Sequence, residues 1–283
     1  MTCSCLRLSA IALAFILVGP LYAGEPKAEL PPEPSSGKWT HEELKRFKAR
    51  EANQGVAVDK EFLYVISNAE IGKYRKSDFE RVGGWKGTKG GPIIHLNAGI
   101  IRDGKLYCAH SNFPFVPMLS SVEIWDTATM QHVGSHSLGM DVGSLTWIIW
   151  RENHWLACFA HYNSSKGKTG RDNSWTQVVK FDEQWRRMGG WGFPPELIQH
   201  FHSNSSSGGA FGPTGALFVT GHTEQKLYVM NFPEAGAMLK WVDTIPISAG
   251  GQAFNWDPEK PELFYSINKA TAEVIVSRIT YKE

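Results

Sequence analysis

The sequence predicts an all-β fold: a single β-propeller of five four-stranded blades, closed by an N-terminal strand. Three observations carry that reading. From Gln54 onward one pattern recurs five times: a small residue opens an apolar strand, a turn follows, a second apolar strand returns, and a polar cluster leads into a third. The dipeptides Asp103-Gly104 and Thr214-Gly215 supply tight turns between first and second strands. A Trp recurs in the closing strands, at Trp85, Trp191 and Trp241. The 283 residues are 42% hydrophobic and 20% charged, a balance that excludes a disordered chain and supplies a large core.

Along the chain, residues 1–23 read as a secretory signal. Arg7 precedes an apolar run, Leu8 to Val18, that is too short to span a bilayer, and Gly19-Pro20 with Ala23-Gly24 end it. The mature protein is therefore expected to be secreted or periplasmic, with no membrane contact after cleavage. Loss of Arg7 takes the formal charge from +1 to about zero, which argues against a nucleic-acid partner held by a basic surface. Cys3 and Cys5 leave with the signal; Cys108 and Cys158 remain, too few for a disulfide framework and each inside an apolar run that suits a buried, reduced thiol. Residues 24–40, with Pro26, Pro31, Pro32 and Pro34, read as a Pro-rich linker without reason to pack, and residues 41–283 as the propeller.

Within the propeller, first strands begin near Gly55, Ala98, Ser144, Gly209 and Gln252, and second strands at Phe62, Leu106, Leu156, Leu217 and Leu263. Third strands follow at Ile71, Val122, Val178, Leu227 and Val274. Fourth strands carry Val82-Gly83-Gly84-Trp85, Met188-Gly189-Gly190-Trp191 and Leu239-Lys240-Trp241, but the chain stops after its fifth third strand. The stretch Leu44 to Ala49 is expected to supply the missing edge and close the ring.

The units Asp103-Gly104-Lys105-Leu106-Tyr107 and Val122-Glu123-Ile124-Trp125-Asp126 resemble those of bacterial β-propellers of the NHL and YVTN type, over nearly everything after Gln54. The chain is also similar to secreted bacterial propellers labelled cycloisomerases after the muconate-lactonising enzymes, which are seven-bladed. The resemblance implies the fold; function must be argued from side chains, because propellers host unrelated functions on one architecture.

First strands of a propeller start at one face and second strands return to it, so both positions ring one mouth of the central channel. Ends of second strands place His110, His161 and His222 there, with Asn112 and Asn163 just beyond; starts of first strands add Gln54, His95, Asn97 and Gln252, and incoming loops add His136, His200 and His202. His95, His110, His161 and His222 are candidate ligands for one divalent transition metal, since imidazole-rich sites suit zinc, copper, iron or manganese better than calcium. The alternative is scaffold: repeats duplicate residues, and equivalent histidines then hydrogen-bond neighbouring loops. His202 is a candidate acid or base, with Tyr162 as base and Arg171 as charge clamp in a lyase. Gln54, Asn97, Asn112, Asn163 and Gln252 would orient a polyhydroxylated or carboxylated ligand, although Asn equally satisfies turns.

Two insertions, Phe113 to Met118 and Asn163 to Trp175, are expected to rise beside this mouth. The sequence points to a secreted, monomeric enzyme whose His-lined funnel takes a small polar or carbohydrate-like substrate for lyase, isomerase or hydrolase chemistry. A non-catalytic binding propeller is the alternative. A glycoside hydrolase needs two facing carboxylates, for which Glu70, Asp141, Asp172 and Glu224 are the contributors available.

Overall fold

A computed structural model describes residues 29–140, 142–163 and 170–282. The signal expected at residues 1–23 lies outside the described residues. Twenty strands, numbered β1 to β20 in chain order, form five four-stranded antiparallel sheets. Blade one holds β2 (Gly55–Val58), β3 (Phe62–Ser67), β4 (Glu70–Arg75) and β5 (Arg81–Lys86). Blade two holds β6 (Leu96–Arg102), β7 (Lys105–Ser111), β8 (Leu119–Asp126) and β9 (His132–Met140). Blade three holds β10 (Ser144–Arg151), β11 (His154–Ala160), β12 (Gln177–Phe181) and β13 (Arg187–Gly192). Blade four holds β14 (Gly208–Phe211), β15 (Leu217–Thr220), β16 (Lys226–Asn231) and β17 (Lys240–Pro246).

Blade five is built from both ends of the chain. Its order is β18 (Asn255–Trp256), β19 (Leu263–Asn268), β20 (Glu273–Tyr281) and then β1 (Trp39–Lys48). β1 runs antiparallel to β20 from Trp39 opposite Tyr281 to Lys48 opposite Glu273, with one irregularity between Glu43 and Lys45. The stretch from Leu44 therefore closes the ring as the sequence predicted, by giving blade five its outer, fourth strand beside β20.

Burial on both faces explains why the second strands read as unbroken apolar runs. Side chains alternate along a strand, so Leu63 and Val65 pack into the junction with blade five while Tyr64 and Ile66 pack into the junction with blade two. The same alternation sends Ala157 and Phe159 toward blade two, and Leu156 and Cys158 toward blade four. The core is consequently five clusters, one at each blade junction. The recurring tryptophans serve these junctions: Trp85 packs edge-on against Trp125 at 5.0 Å, and Trp241 against Tyr228 at 5.6 Å. Cys108 and Cys158 are buried and unpaired, and burial pushes the Cys158 thiol up to about 12. Asp103 and Gly104 both have positive φ, 49° and 69°, the left-handed geometry that a tight hairpin turn needs and that Asp and Gly tolerate.

The structure corrects the sequence reading in two places. The segment after Pro31 packs rather than dangling: the Pro31 carbonyl accepts from His200 Nε2 at 2.9 Å, Glu33 meets Lys226 Nζ at 2.5 Å, and the Ser36 amide donates to Asp243 at 3.0 Å. Its prolines hold it extended, and blade four supplies partners. His136 lies on β9, opposite Val122, and stacks on Trp185 at 5.0 Å rather than standing in an incoming loop. β9 was hard to read because an outer strand that faces solvent on one side needs little apolar sequence; Gly134, His136 and Leu138 alternate with exposed neighbours.

Candidate functional site at the upper mouth of the channel

The five inner strands β2, β6, β10, β14 and β18 surround the channel, and the face where they begin is termed the upper one. Short hydroxyl contacts stitch one blade to the next around it. Ser111 Oγ meets Ser144 Oγ at 2.8 Å, Thr176 Oγ1 meets Ser205 Oγ at 2.7 Å, and Thr220 Oγ1 donates to the Gln252 carbonyl at 2.8 Å. The Ala253 amide donates to the Gln54 carbonyl at 3.0 Å, which joins blade five to blade one. Ser and Thr suit these points because a small hydroxyl satisfies a neighbouring polar group without widening the ring.

Above this girdle the structure gathers basic side chains from different blades. His95 lies on the connector that enters blade two, His222 just beyond β15 of blade four, and Lys269 just beyond β19 of blade five. Burial, reinforced by repulsion from Lys269 and from the protonated forms of His110 and His222, lowers the pKa of His95 to about 4. His222 and Lys269 are exposed as residues, yet their titrating ends sit among protein atoms: burial lowers both, and Lys269 lowers His222 further. At neutral pH, His95 is therefore an uncharged imidazole facing a cationic neighbour. Phe113 covers its ring at 5.1 Å and is itself 5.1 Å from the ring of Tyr162.

His110 and His161 belong to the scaffold more than to the mouth. His110 is buried; the Ile94 amide donates to its Nε2 at 3.2 Å, so the ring proton is on Nδ1 and points to Ser121 Oγ at 2.9 Å. Ser121 in turn donates to Glu123 at 2.6 Å. Burial pushes the Glu123 carboxyl up, but Ser121, Ser135 and His132 hold it below the usual carboxylate range. His161 is buried with Nε2 3.2 Å from the Val142 carbonyl, to which it donates. A metal ligand must offer a lone pair, and His110 spends one ring nitrogen as acceptor and the other as donor. In this arrangement His110 therefore offers no free lone pair to an ion, and among the described residues no group of three or more His, Cys, Asp or Glu is placed to hold a metal.

The remaining sequence candidates have contacts of their own. His202 is exposed and its Nε2 meets Glu224 at 3.1 Å; Tyr162 goes to Ser144, and burial pushes its hydroxyl up to about 12; Arg171 lies over the Trp175 ring at 5.1 Å. These three side chains take three different partners. His200 is buried at the end of a short helix, α1 (Pro195–His200), against Pro31. Among the amides, Asn112 and Asn163 brace their insertions, Asn112 by accepting from the Leu119 amide at 2.7 Å and Asn163 from the Asn173 amide at 2.8 Å. Asn97 donates to the Leu145 carbonyl at 2.9 Å and Gln54 to Asn68 at 2.6 Å. Both sit at the girdle. Among the carboxylates, Glu70 pairs with Arg50, Asp172 caps the turn before Ser174 and Glu224 meets His202; Asp141 lies outside the described residues.

Sequence reasoning missed Lys269 and Phe113 as members of the site. A signal for Lys269 was present: it follows Asn268 at the end of a second strand, the position that in other blades holds the histidines. Phe113 carries no such signal, since its place depends on how an insertion folds back.

No family model matches this chain, and no curated protein matches it. Among solved structures it is similar to a luciferin-regenerating enzyme, with a TM-score of 0.55 and 12% identity over 86% of this chain and 95% of that one. At that identity the likeness is one of fold. It supports a β-propeller whose structural neighbours include an enzyme, and it leaves the NHL, YVTN and cycloisomerase resemblance at the level of propeller architecture.

Proposed function

We propose that this chain is an exported propeller enzyme whose upper mouth binds a small carboxylated or polyhydroxylated molecule and moves protons on it, in lyase, isomerase or hydrolase chemistry. The observation that carries the reading is the gathering of His95, His222 and Lys269 from three blades, with His95 held neutral by burial and by its basic neighbours. No carboxylate contributes to the shift of any of the three. A mouth of that kind is matched to an anion. A bound carboxylate would offset the charge of Lys269, raise the pKa of His95 toward neutrality and so place an acid-base imidazole near its most effective range. The N-terminal apolar run behind Arg7 supports export.

Binding and proton uptake are thereby coupled, which calorimetry can read. Titration of the signal-free protein with glucuronate at pH 7, in two buffers of different ionisation enthalpy, should show uptake of a fraction of a proton. Lys269→Met should weaken binding about tenfold, and His95→Gln should abolish both the uptake and any turnover found in a lactone and uronate panel while leaving the melting temperature in place. Uptake that persists in His95→Gln would sink this assignment. Binding without turnover would favour the non-catalytic propeller.

A further inference from the structure

The opposite end of the channel has its own chemistry. Ends of all five inner strands enclose a cavity of about 440 Å³ at the lower mouth, within the roughly 300–1,000 Å³ span of small-molecule sites. Val58, Ile100, Ile149 and Ala210 form apolar walls, while Arg102 and Arg151 reach it from the ends of β6 and β10. Each guanidinium lies on an aromatic ring that also lines the cavity: Arg102 Cζ stands 3.7 Å from the Trp150 ring centre and Arg151 Cζ 4.0 Å from that of Phe211. Overhead, Asn255 reaches from blade five to blade two and donates to the Gly99 carbonyl at 3.3 Å, a bar between the two blades.

We propose that this lower mouth is a second binding site, for a small amphipathic monocarboxylate with an aromatic or compact aliphatic body. Stacking fixes the plane of each guanidinium, and each keeps one terminal nitrogen outside its present contacts, which for Arg151 include the Gly215 carbonyl at 3.2 Å, so a carboxylate would share or displace the exposed acidic partners. The acidic partners already present do not forestall this. Arg102 pairs with Asp103 and Glu183, and Arg151 with Glu152, but those carboxylates are 81%, 55% and 78% exposed and none lines this cavity. Such hydrated pairs hold weakly. A ligand that brings its own apolar body gains burial against Ile100 and Ile149 as well as the charge contact, which an isolated anion such as phosphate does not.

Calorimetric titration with 2-naphthoate and its neutral analogue 2-naphthamide tests the site. One-to-one binding of naphthoate is expected, with naphthamide about tenfold weaker. Arg102→Gln and Arg151→Gln should each weaken naphthoate at least fivefold, and Ala210→Leu, which fills the cavity and leaves both arginines, should do the same. Melting temperatures identify which variants fold, and any one folded variant is decisive. His222→Gln in the upper mouth should change nothing. Absence of binding at millimolar naphthoate, equal affinity for the amide, retained affinity in the folded variants, or loss confined to His222→Gln would each overturn the proposal.

Discussion

The two mouths of one channel are lined by the same five strands and share almost no chemistry. At the upper mouth the side chains come from connectors and strand ends, and they are His95, His222, Lys269 and a girdle of hydroxyls and amides. At the lower mouth they come from the strands themselves and the tight turns beside them, so the walls are Ile100, Ile149 and Trp256 with arginines laid on aromatic rings. Connection length accounts for the contrast. The route from β5 to β6 crosses the upper face with room for His95, whereas β6 and β7 are joined below by Asp103-Gly104 alone. Long connectors admit polar side chains whose backbone is satisfied locally; a two-residue turn leaves only the strand's own alternating pattern to line the opening.

What separates the mouths is a packed middle, and its removal is the largest perturbation available. Trp147 is fully buried, donates from Nε1 to Ser206 Oγ at 2.9 Å, and shares a cluster with Ala98 of blade two and Ala253 of blade five. Trp147→Ala should cost roughly 3–5 kcal/mol in denaturant unfolding, as expected for an indole removed from a core. A loss below about 1 kcal/mol would mean that the middle collapses readily and that the two mouths are less distinct than the packing indicates.

Acid should sharpen the contrast, because the titrating cluster of His95, His222 and Lys269 belongs to the upper mouth. His95 has a folded pKa of about 4 against a reference of 6.5, so the native state binds fewer protons than the unfolded chain in that interval. Stability from this group is complete above pH 6.5 and is lost as pH falls toward 4. His95→Gln should flatten the acid limb of a stability-pH curve by roughly 1–2 kcal/mol, allowing for solvent screening of a half-buried ring. An unchanged limb would show that the ring is not held neutral by its surroundings.

The smallest expected effect concerns the bar between blades two and five. The Asn255 contact to Gly99 is 3.3 Å long and only part-buried, and Asn255→Ala should cost about 0.5–1 kcal/mol. Greater interest attaches to selectivity. With the bar gone, naphthoate affinity at the lower mouth should become sensitive to His222→Gln; continued independence of the two sites would show that Trp147 suffices as the partition.

Much of this architecture is legible one residue at a time. The turn at Asp103-Gly104, the apolar second strands and the closure through Leu44 to Ala49 follow from local rules of pleat and turn, and the pattern repeats often enough to average out irregular units. β9 escaped because its polar alternation matches a loop as well as an outer strand. The site was legible only by position along the repeat. That put His95, His222, His110 and His161 on the upper face with equal weight, although His110 is held by Ile94 and Ser121 and His161 by Val142.

By itself, then, the sequence determined the propeller, its five units and the strand that closes it, because those depend on alternation and turn chemistry between neighbours in the chain. Only the tertiary structure decided which histidines spend their ring nitrogens on the scaffold, that Lys269 lies near His95, and that Arg102 and Arg151 flank a second cavity. Each of those outcomes depends on the orientation of a side chain relative to another blade, and the distance across a ring is set by packing at the blade junctions, which no single repeat encodes.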